Sequence, residues 1–278
     1  VATSRLDLLL AGIAIAAGLA VFFQPLAWLF GAWLSDPYYS HGFLVPVIAA
    51  FLVWRAKGRL ALLPAAPSRI GLALLALALL LAVAAISRQA YFAASLSLPF
   101  ALAGVVLYLK GWASLHALLF PFAYLVLMIP LPFVGDLALR LQAWTSTLSA
   151  LAANLAGVPA QADGSTVSIP RADFVVGLAC SGLSSIIALL ALGTLLVFSL
   201  QGRGWAKAIL VASIFPIAVV SNGLRVASLL WVASRFGSEA GLRYHDTVAG
   251  FLSWGLAVAL LLLGSRLLRC RLDLAAWS

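Results

Sequence analysis

Apolar runs of about 18 residues or more recur along this chain, and no other feature limits its fold so strictly. A run of that length matches a helix crossing a hydrocarbon core of about 30 Å, where only a helix or a closed barrel satisfies its backbone polar groups. Composition agrees: 64% of the 278 residues are hydrophobic, 9% are charged, and the mean hydropathy is +1.13. A soluble domain of this size cannot hide so much apolar surface. The expected class is therefore all-α: a polytopic integral membrane helical bundle with about eight transmembrane helices. The spans fall near 6–24, 42–54, 70–87, 92–109, 115–133, 178–199, 205–234 and 247–268. Charge and turn residues separate them, as in SDPYYSHG, RAKGRLALLPAAPSR, QGRG and SRFGSEAGLRYHD. The first run has no small-residue cleavage site ahead of a polar region, so it is expected to remain as a span and not to act as a cleavable signal.

A net charge of +9 on a soluble chain would suggest nucleic acid. Here the cations sit in short loops, where they set orientation in the bilayer, and no nucleic-acid partner is expected. With the N-terminus in the cytoplasm, Arg55, Lys57, Arg59, Arg69, Arg266, Arg269 and Arg271 all fall inside, and both termini are cytoplasmic. Segment 134–177 then faces outward. Its first half is helix-like, but Arg140, Gln142, Thr145, Ser146, Thr147 and Ser149 make it too polar for an easy span. An interfacial or re-entrant helix is expected, with Trp144 at headgroup level. Its second half reads as a hairpin turning at Asp163-Gly164, and this leads directly to Cys180. No internal repeat is evident, and residues 1–278 form a single expected domain. Walker, Rossmann and EF-hand patterns are absent, and no His, Cys or carboxylate cluster has metal-ligand spacing, so no cofactor or metal is expected.

Three residues of distinct chemistry share the outer side under this topology. Cys180 lies in GLACSGLSS, Arg225 in SNGLRVASLL and His245 in RYHDTVAGF. A thiol, a guanidinium and an imidazole are a nucleophile, an anion stabiliser and a proton shuttle. A cysteine alone is commonly a small buried hydrophobe. Cys180, however, precedes a helix, whose N-terminal dipole favours thiolate, and small neighbours Ser181 and Gly182 let a substrate approach. Cys270 falls at the opposite membrane face, about 30 Å away, whereas a disulfide needs Cα atoms within about 7 Å. Arg225 stands inside an apolar run, where a charge costs about 2.5–3.5 kcal/mol even on lenient scales and usually has a function. Asn222 lies three residues earlier, on the same helix face. The structural alternatives are a helix-anchoring arginine and an exposed loop histidine. Asp246 follows His245, but adjacent side chains rarely face each other, and no relay between them is expected. His41, in DPYYSHG, either lines the site or anchors the entrance to the second span, with anchoring favoured.

At these residues the chain resembles the exosortase/archaeosortase family of membrane transpeptidases. ACSGL (179–183) resembles the family's nucleophile motif, NGLR (222–225) its arginine motif, and His245 the histidine before the last span. The stretch DPYYSHGFLVPVIAAFLVW (36–54), and PLP with the following LQ (130–142), also look like family signatures. The likeness of Cys-Ser-Gly to a rhomboid protease motif is weak, since a matching helical histidine is missing.

The resemblance implies a membrane-embedded cysteine protease or transpeptidase in a bacterial inner membrane, with its active site on the periplasmic side. It implies membrane-anchored substrate proteins with a C-terminal sorting signal: a Pro-Glu-Pro motif, a transmembrane helix, then a basic cluster. Cys180, Arg225 and His245 would be catalytic, and Asn222, His41, Ser181 and Gly182 supporting or substrate-binding. The soluble sortases share the chemistry on an unrelated β fold. Two other readings differ in kind: a lipid- or anion-handling membrane protein that uses Arg225, and a non-catalytic scaffold of an exopolysaccharide export system. Substrate identity, acceptor and oligomeric state have no signal in the sequence.

Overall fold

The computed structural model describes residues 5–36, 38–170, 172–177 and 182–272, with side chains described from Gly18 onward. Cys180, Ser181 and Arg171 lie outside the described residues. The described chain is predominantly helical, in two compact units that meet in sequence at Leu131 and Pro132. This is the all-α membrane class expected from the apolar runs.

Among the described residues, five helical segments are long and apolar enough to cross a bilayer: Gly18–Ser35, Arg69–Ser87, Tyr91–Leu109, Gly204–Phe236 and Ser238–Leu267. Three shorter apolar segments, Ser40–Arg55, Trp112–Met128 and Leu183–Phe198, lie where the other three spans were expected but are shorter than those five, so five of the eight expected spans have the length and hydropathy of a crossing helix. The first expected span extends well beyond residue 24, because helix α1 (Arg5–Ser35) runs on through Pro25.

The first unit contains α1, α2 (Leu44–Arg55), α3 (Lys57–Leu62), α4 (Arg69–Ile86), α5 (Tyr91–Leu109) and α6 (Trp112–Tyr124). Its tightest pair is α4 against α5. A Cβ on Gly71 would collide with the Tyr108 backbone nitrogen, and one on Gly104 would lie 2.7 Å from that of Leu75. The two contacts run in opposite sequence directions, so the helices are antiparallel. The buried positions of α4 are Gly71, Ala78, Ala82 and Ala85, while Leu72, Leu77, Leu80 and Leu81 point outward. Small residues inside and large apolar residues outside is the pattern of helices that pack within lipid.

The second unit is built around α9 (Gly204–Phe236). Helix α7 (Val134–Leu155) runs parallel to it: Thr145 meets Asn222, Gly223 approaches Leu148, and Gly157 shares a depression with Ser234 and Arg235. Helix α8 (Leu183–Phe198) runs antiparallel, with Gly182 against Asn222 and Gly193 against Ile214. Helix α11 (Gly250–Leu267) is also antiparallel. Gly264 approaches Leu210, and Trp254 and Ala257 share a cavity with Ala218 and Ser221.

The expected hairpin is present and gains a third strand. Strands β1 (Gln161–Asp163), β2 (Thr166–Ile169) and β3 (Ala172–Val175) form an antiparallel sheet in the order β1-β2-β3. Asp163 pairs with Thr166 across the two-residue turn Gly164-Ser165, and Gly164 has φ 56°, a conformation glycine adopts without steric cost. Val167 and Ile169 pack with Ala150, Ala153, Val226 and Leu230, which seats the sheet on α7 and α9. Asn154 fixes the connection by donating to the Ala160 carbonyl at 2.8 Å and accepting its N–H at 3.0 Å. At the far end of α8, β4 (Leu200–Gln201) pairs with β5 (Arg271–Leu272). Buried Cys270, a free cysteine, packs there with Val197 and Leu200, at the opposite end of α8 from Gly182.

Candidate active site

Helix α7 explains how a polar sequence sits in an apolar bundle. Gln142, Thr145, Ser146 and Ser149 recur at helical spacing and are all buried. Leu139, Trp144, Leu151 and Leu155 occupy the exposed side. The polar face is therefore turned to protein, toward α9. Ser146 and Ser149 satisfy themselves by donating to the carbonyls of Gln142 and Thr145, at 2.9 and 2.6 Å. The Thr145 hydroxyl accepts a bond from Asn222 Nδ2 across the helix pair at 3.2 Å.

Asn222 is 2% exposed, midway along α9. Its amide forms the surface on which the start of α8 rests. Gly182 has φ 83°, and a Cβ there would lie 2.7 Å from Asn222 Nδ2 and 2.8 Å from its Cγ. Two independent constraints thus require glycine: the left-handed backbone and the absence of space. The backbone two residues beyond Cys180 is in this way held against α9.

Arg225 lies one turn beyond Asn222. Its Nε is buried and has no hydrogen-bond partner among the described residues. A buried guanidinium N–H in this state is costly unless something accepts from it. Beside Asn222, Ser221 is 3% exposed and its hydroxyl has no hydrogen-bond partner among the described residues. Ser221, Asn222, Ser185 and Ser253 contribute to a cavity of about 10 Å³ between α8, α9 and α11. That volume is about the room of one water.

His245 enters through a change of helix type. Gly237 (φ 91°) ends α9 and turns the chain back as α10 (Ser238–Tyr244), whose Gly241 lies close against Ala233. A five-residue π turn, His245–Ala249, follows before α11. Such turns are rare and cluster at functional sites. His245 is 8% exposed, and its Nδ1 lies 3.0 Å from Asp246 Oδ1. This corrects the expectation that the neighbours do not meet. A contact through Nδ1 fixes the orientation of the ring against its own helix. The π turn packs on α9, and the antiparallel register of α11 continues beyond Ser221 toward the end of α9.

In the second unit Gly182 lies against Asn222, Arg225 follows one turn further along α9, and the π turn that begins at His245 packs on the same helix. His41 belongs to the first unit, where Nε2–H donates to the Leu127 carbonyl at 3.2 Å and the ring stacks on Tyr39. The Tyr39 hydroxyl in turn accepts from Leu131 N–H at 2.9 Å, and burial raises its phenol pKa above the ordinary value. His41 is thus an anchor of the turn before α2. Thr145, Ser221 and Asp246 were not picked out for the site from the sequence. The spacing of Gln142, Thr145, Ser146 and Ser149 on one helix face was the available signal for Thr145. No group of three or more potential metal ligands occurs among the described residues.

Neither the comparison with curated proteins nor that with solved structures gives a match. The comparison with family models does: residues 33–263 match the model for transmembrane exosortases, from the end of α1 to the last turns of α11. That match takes in most of the chain, including Gly182, Asn222, Arg225 and His245, and the chain belongs to the transmembrane exosortase family.

Proposed function

We propose that this chain is a membrane-embedded cysteine transpeptidase whose site is formed by Cys180, Arg225 and His245. Family membership supports a membrane transpeptidase role in general. The observation that carries the residue assignment is the contact of Gly182 with Asn222, one turn before an Arg225 Nε that has no acceptor among the described residues. It supports a reading in which the motif segment ends against Asn222, one helical turn from a buried donor of the kind that stabilises an oxyanion.

In this reading the substrate is a membrane-anchored protein whose own helix docks in the bilayer, presenting a Pro-Glu-Pro sorting motif outside the cytoplasmic membrane. The Cys180 thiolate attacks the scissile carbonyl carbon, and Arg225 stabilises the oxyanion. Collapse forms a thioester and breaks the C–N bond. His245 protonates the departing amine, then takes a proton from water or an acceptor amine that attacks the thioester. Asp246 holds the imidazole through Nδ1, and Asn222 fixes the wall between Gly182 and Arg225.

The test is processing of a co-expressed substrate that carries the motif, a helix and a basic tail. Cys180→Ala should abolish cleavage and Arg225→Ala should lower it steeply, both at unchanged membrane levels. Dependence on Arg225 with indifference to Cys180 would favour the anion-handling reading instead.

A further inference from the structure

We infer that Thr145 of α7 is a positioning residue for the reaction, acting through Asn222. The inference rests on the transpeptidase reading of the site for its activity readout, but not for its second readout. Thr145 is 1% exposed, on a helix whose other buried hydroxyls, Ser146 and Ser149, donate to carbonyls of their own helix. Thr145 differs in reaching α9: its hydroxyl receives the Asn222 Nδ2–H at 3.2 Å.

That bond fixes more than a pair of side chains. An asparagine amide has two orientations about its last torsion, with donor and acceptor exchanged. Against a threonine Oγ1 accepting the bond, the NH₂ group is directed to α7. The same NH₂ group and its Cγ form the surface against which the Gly182 backbone lies. Position and orientation of the amide therefore set where the start of α8 rests, and with it the backbone two residues after Cys180. Nucleophile placement is sensitive at this scale, since a displacement of about 1 Å can cost about a hundredfold in rate. Helix α7 also carries the β1–β3 sheet through the Asn154 clamp and the Val167 and Ile169 contacts. The sheet and the Thr145 contact thus place the chain both before and after the segment 178–181.

Thr145→Val keeps the shape and removes the hydroxyl, and Thr145→Ser keeps the hydroxyl and removes the methyl. Processing of the co-expressed substrate should fall about tenfold in Thr145→Val and stay within about twofold of wild type in Thr145→Ser. The second readout is the pH dependence of Cys180 alkylation by a maleimide in isolated membranes, in a Cys270→Ala background. Thr145→Val should displace that profile, and Thr145→Ser should restore it. Equal effects of Val and Ser on both readouts would reduce Thr145 to a packing residue and overturn the inference. So would wild-type behaviour of Thr145→Val. Cys180→Ala is run beside them: if it still processes substrate, the cysteine reading falls, while the alkylation profile still decides the role of Thr145.

Discussion

The α4–α5 pair of the first unit and the α7–α9 pair of the second show two ways of joining helices in an apolar medium. At α4–α5 the contact is made by what is missing. Gly71 and Gly104 let backbone meet backbone, and large apolar side chains point outward. Such an interface gains close dispersion contacts and has little polar chemistry to offer. At α7–α9 the contact is polar. Thr145 meets Asn222 across it, beside the buried Ser146 and Ser149 of α7, and each buried polar group carries a desolvation cost. Apolar packing of similar volume is often as stable as a buried polar network, so the α7–α9 seam needs a reason beyond stability. In the proposed reading the first pair is scaffold and the second holds the site.

Several variants break or sharpen that contrast. The largest effect is expected at Arg225. Arg225→Ala should lower processing about 10²–10³-fold with membrane levels preserved, as for loss of an oxyanion donor. An unfolded variant, seen as aggregation in size-exclusion chromatography, would place Arg225 with the scaffold. Gly182→Ala adds a Cβ where Asn222 already stands and puts a non-glycine at positive φ, which costs about 1–3 kcal/mol. Its activity should fall further than its thermal stability suggests, measured as processing rate beside melting temperature in detergent. Gly104→Leu is the mirror test. It should lower stability by about 1–3 kcal/mol through overpacking, and the folded fraction should retain the wild-type rate per molecule. Asp246→Asn comes next. The carboxylate is largely exposed, so an effect of about tenfold or less is expected, concentrated in the pH profile and not in expression. Smallest is Glu239→Ala, which removes the exposed bond to Arg243. At about 0.5 kcal/mol or less, it should leave both activity and melting temperature near wild type.

The same contrast explains what could be read from the sequence. Apolar runs located the helices of both units because length and hydropathy are properties of a segment by itself. The hairpin was legible from Asp163-Gly164 for a similar local reason, although its turn falls one residue later, at Gly164-Ser165, and the third strand depends on pairing Thr166 with Val175 across a connection the sequence does not specify. Helix α7 shows the limit. Its polar residues read as a reason to lie at an interface, whereas the folded chain turns them inward against α9. Which way a polar face points is decided by the partner helix, and a one-dimensional pattern does not contain it. The motif residues Asn222, Arg225 and Gly182 stood out by type and spacing, but the contact between Gly182 and Asn222 needs the antiparallel register of α8 on α9. The His245–Asp246 pair was rejected on ordinary helix geometry, which places neighbours about 100° apart. It forms at the first two residues of a π turn, an irregularity without a sequence signature here. Cys180 remains placed by its motif, and Gly182 is the described residue closest to it in the chain.

The most direct measurement is processing of a co-expressed substrate bearing the motif, helix and basic tail, comparing wild type with Cys180→Ala on a mobility blot at equal membrane levels. The account predicts cleavage by wild type and none by Cys180→Ala. Cleavage retained by Cys180→Ala would remove the thiol from the chemistry and contradict the account at its centre.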